Sequence, residues 1–204
     1  MSSAIGLDAI EVADLLRQLF GLRDWSPRMR RGAPIKGDLE VDPPLMARMK
    51  QLRTLRVPDL APVGRGKLHR YGPVDVLEIA TCLAICDAGP AVRVAGELVA
   101  QHRRDHAEAV SRAMNGQSVV LIVMGQALET LRDKSQVGGD WTFEIVSRSE
   151  LANGVAVLRH EETLRFATVA VDLSGLVHEV TRLFAAKAGM SVAEVLKSVE
   201  PPTH

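Results

Sequence analysis

Residues 63–75 read Val-Gly-Arg-Gly-Lys-Leu-His-Arg-Tyr-Gly-Pro-Val-Asp. Gly64 and Gly66 suit a tight turn, because glycine adopts positive φ without steric penalty. Pro62 stands just ahead, where a missing backbone donor does least harm to strand pairing. Pro73 and Asp75 then fit a helix start. Val76, Leu77, Ile79, Ala80, Leu83 and Ala84 follow as the core face of that helix, and Gly89-Pro90 ends it. The segment predicts a β-hairpin over Val63–Tyr71 feeding directly into a helix, and Arg65, Lys67, His69 and Arg70 make the hairpin basic.

The charge around this hairpin is uneven. The chain of 204 residues is formally neutral, yet residues 23–70 hold twelve Lys/Arg against five acids, a net of +7. A local basic segment in a neutral chain is the footprint expected of a polyanion site. The helix expected over residues 44–56 is opened by Pro43-Pro44 and places Leu45, Met49 and Leu52 on one narrow apolar stripe. Arg48 and Arg53 flank that stripe, Lys50 points away from it, and Arg56 lies at the end.

Other elements follow from periodicity. Leu7–Leu22 reads as a first helix capped near Asp8, with Ile10, Val12, Ala13, Leu15, Leu16 and Phe20 as its apolar face and Gly21 as its breaker. Residues 23–42 are rich in proline and glycine and read as a loop carrying Arg28, Arg30 and Arg31. One further helix is expected over Ala91–Met114, polar in its second half from Gln101 to His106. Asn115-Gly116 marks a boundary. Beyond it, strands are expected at Ser118–Met124, Trp141–Arg148, Val155–Arg159 and Arg165–Val171, followed by a helix capped by Asp172 or Ser174. The fold class is therefore α+β. The expected regions are a helical, hairpin-bearing one over residues 1–114 and a small α+β one over 117–199.

Catalytic and metal chemistry finds little footing. Cys82 and Cys86 lie four apart in an apolar helix and read as core packing, since two thiols do not make a tetrahedral zinc site. His102 and His106 lack the Glu of His-Glu-x-x-His and a third ligand, and read as a solvated helix face. Gly64-x-Gly66 and Gly138-Gly139 do not match phosphate-binding loops. The expectation is no enzyme, no cofactor and no metal. The N-terminus lacks a signal-peptide pattern, and the longest uncharged stretch, Ala113–Leu128, is too short and too polar to span a bilayer, so a cytoplasmic protein is expected.

The order Arg53, Arg65-Gly-Lys-Leu-His-Arg-Tyr71 and Asp75-Val-Leu-Glu-Ile79 resembles the DNA-binding domain of MerR-like regulators, a winged helix-turn-helix, over about residues 43–100. In that family a helix ends in arginine, a wing closes on Arg-Tyr, and an Asp opens the next helix; Arg53, Arg70, Tyr71 and Asp75 are the matching positions. The sequence departs from the family in placing residues 23–42 where the first two helices are joined by a tight turn. The resemblance implies a transcriptional regulator that binds double-stranded DNA as a homodimer. Arg48, Lys50, Arg53 and Arg56 would serve as recognition-helix contacts, and Arg65, Lys67, His69 and Arg70 as wing contacts. Tyr71 would lock the wing onto the helix. The C-terminal region would dimerise, or bind a ligand or a protein. The alternative is a protein-interaction adaptor that uses a winged-helix scaffold without reading DNA.

Overall fold

Leu7 and Tyr71 form an isolated antiparallel bridge, which joins the residues just ahead of two helices. The structure is a computed structural model that describes residues 6–22, 29–30, 33–34, 43–61, 68–125, 142–151 and 167–199. The chain divides into two compact units, residues 1–80 with 179–204, and residues 81–178.

In the first unit, α1 (Ala9–Leu19) starts on a reciprocal cap. The Asp8 carboxylate accepts from the backbone of Ile10 and Glu11, and the Glu11 carboxylate accepts from the backbone of Asp8. Val12, Leu15 and Leu16 are fully buried. Ile10, expected on this apolar face, is instead 47% exposed, because it sits in the first turn on the outer side of the helix. Met29–Arg30 (β1) pairs antiparallel with Ala33–Pro34 (β2), so the stretch read as loop holds a small ladder.

α2 (Pro43–Thr54) buries Leu45, Met49 and Leu52, the stripe expected from the sequence. It ends in a Schellman turn: Arg56 N–H donates to the Arg53 carbonyl and Val57 N–H to the Leu52 carbonyl, each at 3.0 Å. The helix thus stops at Thr54, four residues before Pro58, and Leu52 and Val57 are both buried. α3 (Pro73–Asp87) follows Tyr71 directly, with the Asp75 carboxylate accepting from the Gly72 N–H at 2.7 Å. The hairpin expected over Val63–Tyr71 falls mostly outside the described residues; among the described residues Leu68–Arg70 carry no strand pairing, and Tyr71 pairs with Leu7.

The units divide within α3 and again within α6 (Leu173–Ala188). In the first unit, Lys187 of α6 donates to Asp14 of α1, which also accepts from Arg17. These two cations hold the Asp14 carboxyl below its ordinary range, Lys187 contributing most. α7 (Val192–Val199) opens on a second reciprocal cap, Ser191 with Glu194.

In the second unit, the single helix expected over Ala91–Met114 is broken at His102 into α4 (Val92–Gln101) and α5 (Arg103–Met114). His106 stands three and four residues before the buried Ala109 and Val110 on α5 and shares their inward face. It is 1% exposed, which corrects the expectation of a solvated face. The sheet has strand order β4-β3-β5, from β3 (Val119–Gly125), β4 (Thr142–Ser147) and β5 (Ala167–Asp172), antiparallel throughout. β3 is buried along its whole length, as its unbroken apolar run requires. By this grouping α4 and α5 lie with the sheet, whereas the sequence reading assigns them to the N-terminal region. α5 ends in the turn at Asn115-Gly116 and packs against β3 and β4, and its Ala109 and Val110 are buried. Asp172 caps α6 by accepting from the Gly175 N–H, and Ser174 accepts from the Val119 N–H and donates to the Gln117 carbonyl. The strand expected at Val155–Arg159 lies outside the described residues. The chain is α+β.

Candidate nucleic-acid interface

α2 presents its cations because its apolar stripe is narrow. With Leu45, Met49 and Leu52 facing inward, Arg48, Lys50 and Arg53 are all exposed. Arg56 extends the row past the helix end, where the chain turns.

Arg56 adopts φ +58°, the left-handed conformation. The corresponding turns after α1, α5 and α6 use Gly21, Gly116 and Gly189, which carry no Cβ penalty there. A non-glycine residue at such a position costs about 1 kcal/mol. The helix bearing the exposed cations therefore ends in an arginine where α1, α5 and α6 end in glycine.

The Schellman turn and the segment before Tyr71 meet at a groove of about 670 Å³, lined by Arg53, Arg56, Pro58, Asp59, Leu60, Ala61 and His69. It brings together three of the residues singled out from the sequence, Arg53, Arg56 and His69, and adds a carboxylate, Asp59, that the sequence reading passes over. Guanidinium groups beside a histidine form a set of donors suited to phosphate oxygens. Arg48 is exposed on α2 without lining this groove. Lys50 lines a neighbouring one. Arg65 and Lys67 lie outside the described residues.

Arg70 has an internal task. Its guanidinium lies 3.5 Å from Glu11 and donates to the Gly6 carbonyl at 3.4 Å, which ties the segment ahead of α3 to the cap of α1. Tyr71 is 2% exposed and serves as a packing residue.

The histidines and cysteines weighed from the sequence have other surroundings, and Gly64, Gly66 and Gly138-Gly139 lie outside the described residues. His106 shares a 2.9 Å hydrogen bond with Thr81, while its Nδ1 has no hydrogen-bond partner among the described residues. Burial, aided by Arg103, pushes its pKa down to about 4, so the ring is neutral near pH 7. His102 instead stacks on Phe143 with ring centroids 4.9 Å apart. Among the described residues no cluster of three His, Cys, Asp or Glu is placed to hold a metal. Cys82 is buried, with its thiol 3.6 Å from the Ala95 carbonyl. Among the described residues, no helix is long and apolar enough to cross a membrane.

Compared with known proteins, the chain matches no family model, and no characterised protein matches it either.

Proposed function

We propose that this chain is a DNA-binding transcriptional regulator that reaches duplex DNA through α2 and the segment ending at Arg70-Tyr71. The observation that carries the reading is the groove shared by Arg53, Arg56 and His69, next to the exposed Arg48 and Lys50. These side chains come from two segments separated in sequence. A surface built only for solubility has no need to gather them, nor to hold an arginine in a left-handed turn. Arg53 and Arg48 suit base edges or phosphates, and Arg56 and His69 suit backbone phosphates. The pairing of Tyr71 with Leu7 and the Asp75 contact to Gly72 support the wing-to-helix order of MerR-like regulators. Binding as a homodimer follows from the small size of such a module, since paired half-sites raise affinity and specificity.

Genome-wide immunoprecipitation of the tagged protein, with an Arg53→Ala/Lys67→Ala/Arg70→Ala variant as control, tests the reading. Sharp sites that share a sequence motif and vanish in the variant are expected. Absence of enrichment would instead favour the adaptor reading.

A further inference from the structure

Arg53 also lines a second groove, of about 580 Å³, in the same unit. Met46, Met49, Lys50, Arg53 and Thr54 lie three and four residues apart along α2, so they share one face of that helix. Tyr71 completes the apolar part. Met49 and Tyr71 are buried and give a fixed floor, while Met46 is half-buried and unbranched and adapts to a guest's shape. Among the described lining residues there are two cations, Lys50 and Arg53, and no carboxylate. The volume falls within the range of small-molecule sites.

We propose that this groove binds a small carboxylate with an apolar ring or chain. The apolar body rests on Met46, Met49 and Tyr71. The carboxylate meets the Lys50 ammonium and the planar guanidinium of Arg53, which suits two parallel hydrogen bonds. A neutral compound of the same shape gains the apolar contact alone, so the charge complementarity selects the anion.

The site also regulates the proposed DNA contact, and this part rests on the regulator reading. Arg53 belongs to both grooves. A guanidinium engaged with a carboxylate in one is withdrawn from a phosphate in the other. Ligand and duplex therefore weaken each other's binding by the same factor.

Titration calorimetry on the full chain with naphthoate, and with naphthamide as its uncharged counterpart, tests the site. One naphthoate per chain is expected, with naphthamide about tenfold weaker. Lys50→Gln and Met46→Asp should each weaken naphthoate by about tenfold while leaving the urea midpoint near wild type, because Lys50 is exposed and Met46 only half-buried. Failure to bind at about millimolar concentration, equal binding of the amide, or unchanged binding by both variants overturns the site. A dimer in light scattering that Met46→Asp dissociates, with no naphthoate bound, overturns it too and gives the groove to a second copy of the chain. In a parallel titration of a fluorescent duplex, naphthoate should raise the apparent Kd severalfold. Duplex and naphthoate binding independently overturns the coupling. Naphthoate binding with no duplex binding at low salt upholds the site and overturns the regulator reading.

Discussion

Leu7 and Tyr71 exchange both backbone hydrogen bonds, Leu7 N–H to the Tyr71 carbonyl at 3.0 Å and Tyr71 N–H to the Leu7 carbonyl at 2.8 Å. This bridge fixes the entry to α1 against the entry to α3. It also anchors the end of Leu68–Arg70. The approach is close: a Cβ on Gly6 would lie 2.9 Å from the Arg70 Cβ and 3.2 Å from the Tyr71 carbonyl oxygen. Gly6→Ala should therefore destabilise the protein. Tyr71→Ala should cost about 3–5 kcal/mol through lost burial, and Tyr71→Phe much less. Urea unfolding monitored by circular dichroism reads all three. A Tyr71→Ala variant as stable as wild type would show that the bridge does not organise this unit.

Arg56 separates stability from binding. Arg56→Gly relieves the left-handed strain and should raise stability by about 0.5–1 kcal/mol while weakening duplex binding. Arg56→Ala keeps the strain, and should weaken binding to the same degree without the gain. Thermal denaturation beside fluorescence anisotropy distinguishes them. Loss of stability in Arg56→Gly would mean that the side chain holds the turn.

Glu11 sits 3.5 Å from Arg70, and both side chains are about half exposed. Such a pair adds little stability, yet its carboxylate opposes an approaching phosphate. Glu11→Gln retains a hydrogen-bonding oxygen for Asp8 N–H and removes the charge. Duplex affinity at low salt should rise about two- to threefold, and the gain should fade as salt screens it. Reduced affinity would show that the pair holds Arg70 in its binding position.

His106 gives the second unit a pH dependence. Its pKa is about 4 when folded and near 6.5 when unfolded. The unfolded chain binds this proton more readily, so stability is fully present above pH 6.5 and falls as pH drops toward 4, by up to roughly 3 kcal/mol. Asp14 acts in a different window: its depressed carboxyl pKa keeps stability above pH 3.8 and loses it below. Hydrogen exchange of α5 and β3 amides between pH 7 and pH 4.5, corrected for intrinsic rates, should show the His106 slope. In His106→Gln the slope should disappear.

Much of the architecture is written in local pattern. The stripe Leu45, Met49, Leu52, the run through β3 and the Asp8 cap are dictated by neighbours a few residues away, and all are found where their spacing puts them. Ser191 and Glu194 also carry a readable signal, a serine followed three residues on by glutamate, which marks the separate start of α7. What the pattern does not carry is long-range. The break between α4 and α5 falls at His102, where no proline or glycine stands. The left-handed Arg56 defies the rule that such turns end in glycine. The gathering of His69 with Arg53 and Arg56, like the Leu7–Tyr71 bridge, joins residues well apart in the chain.

The most direct measurement is the salt dependence of duplex binding by fluorescence anisotropy, for wild type and for Arg53→Ala and Arg56→Gly. Phosphate-driven binding predicts that log K falls linearly with log salt, with a slope of about −0.9 for each phosphate neutralised. Each substitution should make that slope shallower by about one where the arginine meets a phosphate. No binding at low salt, or a slope untouched by both substitutions, would contradict the account.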